Sequence, residues 1–289
     1  MNTQDNFTKD SLGVKEMVKQ KYSEIALQEK DNNAASCCGA GGCSTEIYNV
    51  MADDYNQLEG YNPDADLGLG CGLPTEFAKI KKGDVVVDLG SGAGNDAFIA
   101  RHEAGETGEV IGIDFSLPMI DKARKNADAR GLHNVKFMQG DIEQMPVADN
   151  TADVIVSNCV LNLVPNKDAV IKEIYRVLKP GGHFSISDIV LIGDLPANIQ
   201  NAAEMYAGCV SGAIQKDEYL ALITNNGFKN IVTQKEKVIT IPNDILSNYL
   251  SAEQIELFKT SGTGIFSVTV YADKPLETKA ACCGPDCCN

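Results

Sequence analysis

The sequence predicts an α/β protein in which helices cover both faces of a doubly wound, mostly parallel β-sheet. Short apolar runs alternate with helical segments through residues 72–190, and this alternation is typical of a parallel sheet. A Gly-rich turn joins the first apolar run to the first helix of this region, where such folds bring the backbone close to a ligand. The 289 residues suffice for one large domain or two modest ones.

The individual elements follow from hydrophobic periodicity and from turn residues. The central elements are strand 84–89, helix 95–102, strand 110–113, helix 118–130, strands 135–138 and 154–157, helix 167–178 and strand 183–187. A helix over residues 11–29 precedes them, and its apolar stripe predicts a docking face. The later elements are helices 196–211 and 216–226 and strands 228–234 and 265–270. We expect these strands to extend the sheet and the helices between them to cap its carboxyl edge.

Charge and apolar patterning exclude several classes of partner. The chain has 25 Lys and Arg against 40 Asp and Glu, a net charge of −15, which repels phosphate backbones and anionic lipid surfaces. Residues 1–10 are polar, and no run of about 18 apolar residues occurs, so neither export nor membrane insertion is predicted. We therefore expect a cytoplasmic protein with reduced thiols that binds neither nucleic acid nor membrane.

Ten cysteines form three groups along the chain. The groups are Cys37, Cys38 and Cys43 near the start, Cys71, Cys159 and Cys209 singly in the middle, and Cys282, Cys283, Cys287 and Cys288 at the end. A single buried cysteine usually packs as a small hydrophobic residue. A functional role for any of them must therefore come from its sequence context.

The turn after the first strand has the pattern Gly-x-Gly-x-Gly at Gly90, Gly92 and Gly94. A dinucleotide-binding fingerprint would have its third glycine at position 95, where this chain has Asn95. Taken alone, the pattern fits a cofactor loop and an ordinary strand-to-helix turn equally well.

Polar residues end the strands that follow this turn. Asp114 ends the second strand, 24 residues after Gly90, where a carboxylate can accept hydrogen bonds from both ribose hydroxyls. Asp141 closes the third strand, where an acid can bind the exocyclic amine of adenine, and Asn158 ends the fourth. Because the carboxyl ends of parallel strands meet at one edge of a sheet, these residues together predict a nucleoside cofactor.

Four motifs of this region resemble those of the class I S-adenosylmethionine-dependent methyltransferases, which have a Rossmann-like fold. They are residues 88–94, 112–114, 140–142 and 177–182. The resemblance implies S-adenosyl-L-methionine as cofactor. It also implies that the cofactor-binding residues are Asp88, Gly90, Ser91, Gly92, Gly94, Asp114, Phe115, Met119, Asp141, Ile142 and Asn158.

The contexts of the isolated cysteines are similar to those in the arsenite methyltransferase family. The matching segments are residues 70–74, 157–165 and 206–213, and the whole match runs from about residue 36 to 240. The resemblance implies that Cys159 and Cys209 bind trivalent arsenic as substrate. It implies that Cys71, with one residue of the N-terminal cluster, either delivers arsenic or completes its ligation, and also joins a redox cycle. Cys43 and Cys38 are the preferred candidates from that cluster.

The resemblance implies a reaction in which the arsenic lone pair attacks the sulfonium methyl group, so no general base is needed. The implied substrate is arsenite or its thiol conjugates, the implied reductant is thioredoxin or glutathione, and we expect a monomer. Two alternatives remain: a methyltransferase for another small molecule such as a quinone or sterol, and a thiol-based metalloid-binding protein.

Four segments follow from these interpretations. They are a helix and Cys-rich capture segment (residues 1–71), a cofactor-binding core (72–190), a C-terminal α+β cap (191–274) and a flexible Cys-rich tail (275–289). Metalloid delivery, redox buffering and a dispensable extension remain open as roles for the tail.

Overall fold

A computed structural model describes residues 11–27, 54–195, 197, 210, 212–240, 243–261 and 263–276. Seven strands form one sheet in the order β3-β2-β1-β4-β5-β7-β6. The strands are β1 (Val85–Leu89), β2 (Glu109–Asp114), β3 (Val135–Gln139), β4 (Ala152–Asn158), β5 (Leu178–Ile192), β6 (Lys229–Ile239) and β7 (Gly264–Asp273). Strands β1 to β5 are parallel, and β7 runs antiparallel between β5 and β6. The predicted doubly wound, mostly parallel sheet is confirmed, and the late strands extend it.

Helices cover both faces of this sheet. They are α1 (Ser11–Leu27), α2 (Pro74–Phe77), α3 (Asn95–Ala104), α4 (Leu117–Ala129), α5 (Lys167–Val177), α6 (Lys216–Asn225), α7 (Asn243–Leu246) and α8 (Ala252–Thr260), with a 3₁₀ turn at Leu161–Leu163. Among the described residues, no helix is long and apolar enough to cross a membrane. The predicted helix over 196–211 falls almost wholly outside the described residues, as do the N-terminal cysteine cluster and the Cys-rich tail.

Alternation along β1 shows how the sheet builds a core on each face. Val86 is fully buried among side chains of α3 and α4, such as Phe98. Val87 is fully buried on the opposite face, with side chains of α5 and α6 such as Ile171 and Tyr219. Because both faces of β1 are covered, its sequence begins with three consecutive valines rather than with an alternation of apolar and polar residues.

Helix α1 docks against the start of α4, at the carboxyl edge of the parallel strands. Ile25 and Ala26 pack with Met119, and the hydroxyl groups of Ser23 and Ser116 lie 3.1 Å apart. The apolar stripe of α1 is therefore a docking face, as its pattern indicates.

Strand β5 is much longer than the predicted 183–187. It begins at Leu178, which pairs with Ala152 of β4, and it continues to Ile192 because its last ten residues pair with β7 along the whole length of that strand. The predicted core (72–190) and cap (191–274) therefore share one sheet. The segment limits at 71, 190 and 274 stay predictions.

Candidate cofactor and thiol site

A cavity of about 730 Å³ opens at the carboxyl edge of the parallel strands. This volume includes the part of the cavity that is open to solvent. Most of the residues predicted to bind the cofactor line it, namely Asp88, Gly90, Ser91, Gly92, Asp114, Phe115, Met119 and Asn158. Cys159 belongs to the same wall, and Tyr22 of α1 also contributes to it. The structure therefore brings a predicted cofactor loop and a predicted arsenic ligand to one cavity.

Asp141 and Ile142 line a second cavity of about 460 Å³, which shares part of its wall with the first. The carboxylate of Asp141 is already engaged: Oδ2 accepts from the Lys15 ammonium group at 2.7 Å, and Oδ1 accepts from the backbone N–H of Glu143 at 2.9 Å. Lys15 also pairs with the Glu143 carboxylate. These ion pairs fix α1 beside this cavity, so a ligand group that reaches Asp141 must share its oxygens with Lys15.

The three loop glycines have different roles. Gly90 and Gly92 have positive φ angles of 67° and 51°, and a Cβ atom at Gly92 would meet nothing within 4 Å, so the backbone there is open to a ligand. Gly94 lines neither cavity. Its φ angle is 99°, and a Cβ atom there would lie 2.8 Å from Phe137 and 2.9 Å from Phe98, so this glycine lets α3 begin against two aromatic rings.

Asp114 connects the glycine loop to the end of β2. Its Oδ2 accepts from the Gly92 N–H at 3.0 Å, and its Oδ1 accepts from the Ser116 N–H at 2.8 Å. Burial raises the pKa of Asp114 to about 6, although these two hydrogen bonds oppose the rise. Each carboxylate oxygen can accept more than one hydrogen bond, so both remain able to bind ligand hydroxyls.

Carboxylates dominate the polar part of the larger cavity. Asp88 and Asp96 are buried, and Asp66 and Asp114 also lie in the wall. Burial, followed by the charges of Asp96 and Asp114, holds the pKa of Asp88 well above its usual range. Among the described residues, Asp88 Oδ2 has no hydrogen-bond partner. A cavity with this charge fits the positively charged ammonium and sulfonium groups of S-adenosylmethionine, because nearby cations would favour the ionised carboxylates.

Asp96 and Tyr55 also line this cavity, although the sequence patterns did not identify them. The Tyr55 hydroxyl donates to Asp96 Oδ2 at 3.0 Å, and the Asn158 amide donates to the same oxygen at 3.2 Å. Burial raises the pKa of Asp96 to about 6, while the bonds from Asn158 and Tyr55 lower it. An acidic residue in the first turn of the helix after a glycine loop is a signal that could have found Asp96.

Cys71 and Cys159 form a disulfide bond, with their Cα atoms 5.7 Å apart. Cys71 is fully buried and Cys159 is 4% exposed. The expectation of reduced thiols is therefore wrong for this pair in the structure. Cys159 has a left-handed φ angle of 61°, and its N–H donates to the Ser187 carbonyl oxygen at 2.8 Å, so the chain turns out of β4 exactly one residue after Asn158.

Two glycines allow the loop of Cys71 to lie against the end of β4 and the middle of β5. A Cβ atom at Gly70 would lie 2.7 Å from Asn158 Nδ2, and one at Gly72 would lie 2.7 Å from Ser187 Cβ. Between them, the Cys71 N–H donates to Asn158 Oδ1 at 3.0 Å. A larger residue on either side would displace the thiol, so the glycines on both sides of Cys71 are a signal of close packing that the sequence offered.

Comparison with known proteins places this architecture in a family. Residues 80–244 match a family model described as a methyltransferase domain. The chain is 38% identical over 285 residues to an arsenite methyltransferase of Halobacterium salinarum, which covers 93% of this chain and 68% of the relative. The chain belongs to the arsenite methyltransferase family. An arsenite methyltransferase of Aquipseudomonas alcaligenes is 29% identical over 259 residues, covering 86% of this chain and 72% of the relative.

A solved structure of an arsenic(III) S-adenosylmethionine methyltransferase from Chlamydomonas reinhardtii has the same fold. It superimposes with a TM-score of 0.61 at 29% identity, covering 79% of this chain and 73% of that one. The predicted membership of the arsenite methyltransferase family and the predicted class I methyltransferase fold are both confirmed.

Cys209, Cys38 and Cys43 lie outside the described residues. Within the described ranges, no group of three or more His, Cys, Asp or Glu residues has a geometry that could hold a metal ion. The roles of Cys209, Cys38 and Cys43 therefore stay predictions.

Proposed function

We propose that this chain transfers methyl groups from S-adenosylmethionine to trivalent arsenic held by cysteine thiolates, giving methylated arsenicals and thereby detoxifying arsenic. One observation carries the proposal: Cys159, bonded to Cys71, lines the same cavity as Gly92 and Asp114. A methyl donor and a sulfur-bound acceptor can meet in one cavity, and the family relationship supports arsenite as the acceptor.

In this proposal the cofactor binds along the glycine loop and the strand ends. When bound, it supplies an electrophilic methyl group on a sulfonium sulfur. Asp114 accepts hydrogen bonds from the ribose hydroxyls, and Asp88 and Asp96 balance the positive groups. The remaining predicted contacts are Gly90, Ser91, Gly92, Gly94, Phe115, Met119, Asp141, Ile142 and Asn158, and all of them except Gly94 line one of the two cavities.

The thiols bind the substrate after the disulfide is reduced. Two electrons and two protons convert the bond between Cys71 and Cys159 into two thiols. Trivalent arsenic is a soft centre that prefers thiolate ligands, and we propose that Cys159, Cys209 and Cys71 supply them, with Cys43 or Cys38 assisting. Each thiol that displaces a hydroxyl group of arsenite releases one water molecule, and the arsenic keeps its lone pair.

Methyl transfer then requires position rather than proton transfer. The arsenic lone pair would attack the methyl carbon that the bound cofactor supplies, and the bonding electrons would stay with the cofactor's sulfur. The burial of Cys159 excludes water from the acceptor, and the fixed end of β4 holds it at a constant position. Methylation oxidises arsenic by two electrons. Closing the disulfide returns those two electrons, and thioredoxin or glutathione then reduces the disulfide in a monomeric, cytoplasmic enzyme.

The decisive experiment is an arsenite methylation assay. Reduced protein, S-adenosylmethionine and arsenite are incubated, and methylated arsenicals are separated and detected by mass spectrometry. We expect turnover by the wild type and none by Cys159→Ser, which should still bind S-adenosylhomocysteine in calorimetry. Thr224→Ser is the control, because the Thr224 hydroxyl donates to the Leu220 carbonyl oxygen within α6 and does not line the cavity. A wild-type protein that produces no methylarsenical would contradict the proposal.

The tail needs a separate test. Deleting residues 280–289 should lower turnover at low arsenite concentration if the tail delivers the metalloid, and unchanged turnover would exclude that role.

A further inference from the structure

We propose that Asn158 and Tyr55 are positioning residues that couple occupancy of the cofactor cavity to closure of the Cys71–Cys159 disulfide. The proposal rests on the proposed function, since it takes the ligand of the cavity to carry the amino-acid ammonium group of S-adenosylmethionine. The charged ligand would act on Asp96, and the shared hydrogen bonds of Asn158 and Tyr55 would pass the effect to the loop of Cys71.

The first step concerns the contact between Asn158 and the cysteine loop. Asn158 Oδ1 accepts from the Cys71 N–H at 3.0 Å, and its Nδ2 donates to the Gly72 carbonyl oxygen at 2.8 Å. One planar amide therefore holds the backbone on both sides of the Cys71 side chain. Because Cys159 is the next residue along the chain, the position of Asn158 helps to set the separation of the two thiols.

The second step concerns the contacts of the same amide with Asp96 and Tyr55, which line the cavity. Asn158 Nδ2 also lies 3.2 Å from Asp96 Oδ2 and contacts the Tyr55 hydroxyl. That hydroxyl lies 3.0 Å from both the Gly72 carbonyl oxygen and Asp96 Oδ2. The amide supplies two protons and the hydroxyl supplies one. These protons cannot fill all of these positions at once, so Asp96 and the Gly72 carbonyl compete for the same donors.

The competition for hydrogen-bond donors predicts whether a bound ligand favours the disulfide or the dithiol. An ionised, unpaired Asp96 attracts the shared donors most strongly and weakens their bonds to the Gly72 carbonyl. A ligand ammonium group beside Asp96 reduces this attraction and returns donors to Gly72. The loop of Cys71 is then held more firmly in the position that the disulfide requires. We therefore expect the cationic ligand to favour the disulfide over the dithiol.

The effect also has a place in the proposed reaction. S-adenosylhomocysteine, the product of methyl transfer, keeps the ammonium group but has a neutral sulfur. Its presence would favour disulfide closure at the stage when the oxidised arsenic must receive two electrons from the thiols. Linkage requires the reciprocal effect: the disulfide form must bind S-adenosylhomocysteine more tightly than the dithiol form, by the same factor.

The test measures both sides of this linkage. The full chain is equilibrated with reduced and oxidised dithiothreitol, which accepts or supplies the two electrons and two protons, with or without saturating S-adenosylhomocysteine. Free thiols are alkylated, and the fraction of the Cys71–Cys159 disulfide is measured by peptide mass spectrometry. We expect the ligand to favour the disulfide about three- to tenfold, the size of one redistributed hydrogen bond. Calorimetry on the oxidised and reduced protein should give the same ratio of Kd values.

Tyr55→Phe is the principal variant, because it removes one shared proton without removing the Asn158 amide. It should bind S-adenosylhomocysteine but lose most of the ligand-dependent shift. Tyr271→Phe is the matched control, since Tyr271 donates to Asp273 at 2.6 Å and does not line the cavity. It should keep the full shift. Asp96→Asn offers a second variant: without ligand, its disulfide should already be as favoured as in the liganded wild type.

The outcomes separate the two proposals. Binding of S-adenosylhomocysteine with no shift in the wild-type equilibrium would overturn the coupling and leave the proposed methyltransferase function intact. A full shift in both Tyr55→Phe and Asp96→Asn would also overturn it, because the effect would then bypass these residues. Absence of any binding would overturn the proposed function together with the coupling. If Tyr55→Phe does not fold, the ligand-free equilibrium of Asp96→Asn decides the matter.

Discussion

Gly72→Ala tests whether close packing holds the loop of Cys71 where the reaction needs it. A Cβ atom at position 72 would lie 2.5 Å from Ser187 Oγ and 2.7 Å from Ser187 Cβ. Ordinary contact begins at 3.4 Å, so relief from the Cβ contact alone requires a displacement of about 0.7 Å. Overpacking of this kind costs about 1–3 kcal/mol of the free energy of unfolding. Misplacing a reacting group by about 1 Å can cost about 100-fold in rate.

We therefore expect Gly72→Ala to lower kcat for arsenite methylation about 10- to 100-fold, and to lower the unfolding free energy by about 1–3 kcal/mol. Turnover is measured from methylated products, and stability by urea denaturation. Gly13→Ala in α1 is the matched control: its added Cβ meets nothing within 4 Å, so turnover should be unchanged and stability should rise by up to about 1 kcal/mol.

A second change distinguishes displacement from general damage. Adding Ser187→Ala to Gly72→Ala removes the nearer of the two clashing atoms and should restore part of the lost activity. Wild-type turnover and stability in the single Gly72→Ala variant would refute the packing argument, because the loop would then tolerate the displacement.

Three further predictions concern charged groups. Lys15→Ala removes the ion pairs to Asp141 and Glu143, frees α1 beside the second cavity and should raise the Kd for S-adenosylhomocysteine severalfold in calorimetry. The pKa of Asp114 is about 6, so if its ionised form binds the ribose, affinity should be about tenfold weaker at pH 5 than at pH 7.5. Burial raises the pKa of Asp188 from 3.8 to about 7, so the folded state binds this proton more tightly than the unfolded state and stability should fall as pH rises from 4 to 7. By pH 8 this decline should lower the free energy of unfolding of the wild type by about 4 kcal/mol. Urea denaturation of Asp188→Asn should show no such decline.

Each of these predictions has a contradicting result. An unchanged Kd in Lys15→Ala would mean that α1 does not restrict the cofactor site. Affinity that is flat between pH 5 and 7.5 would mean that the charge of Asp114 is not used in binding. Parallel stability profiles of Asp188→Asn and wild type would mean that Asp188 does not hold its proton in the folded protein.

Strands β1 to β4 could be predicted from the sequence because they are short, rich in apolar residues and separated by recognisable turns. Strand β5 could not be delimited in this way. Pro180, Gly181 and Gly182 near its start resemble turn residues, and Asp188 in its second half is polar although fully buried. Pairing with β4 includes Leu178, which precedes these turn residues, and pairing with β7 holds residues 183–192, with Asp188 among them, in an extended conformation, so tertiary contacts override the local preference.

The candidate site also contains some residues that could be predicted from the sequence and others that could not. Gly90, Gly92 and Asp114 could be predicted because they lie at the ends of regular strands, where topology alone brings residues together. Tyr55 could not, because it precedes the first strand in a region without periodicity and reaches the cavity through hydrogen bonds between residues distant in sequence. Gly94 belongs to the same glycine pattern, and its lack of a side chain also lets α3 begin against Phe98 and Phe137.

The end of β4 explains why one thiol can serve both the cavity and the Cys71 loop. An extended residue at position 159 would continue β4 and place its side chain on the same face as Ser157. The left-handed conformation of Cys159 instead turns the chain, a conformation that costs a non-glycine residue about 1 kcal/mol or more and needs support from its surroundings. The hydrogen bond from its N–H to the Ser187 carbonyl provides such support. Ser187 also limits the position of Gly72, so one residue of β5 fixes the backbone on both sides of the disulfide.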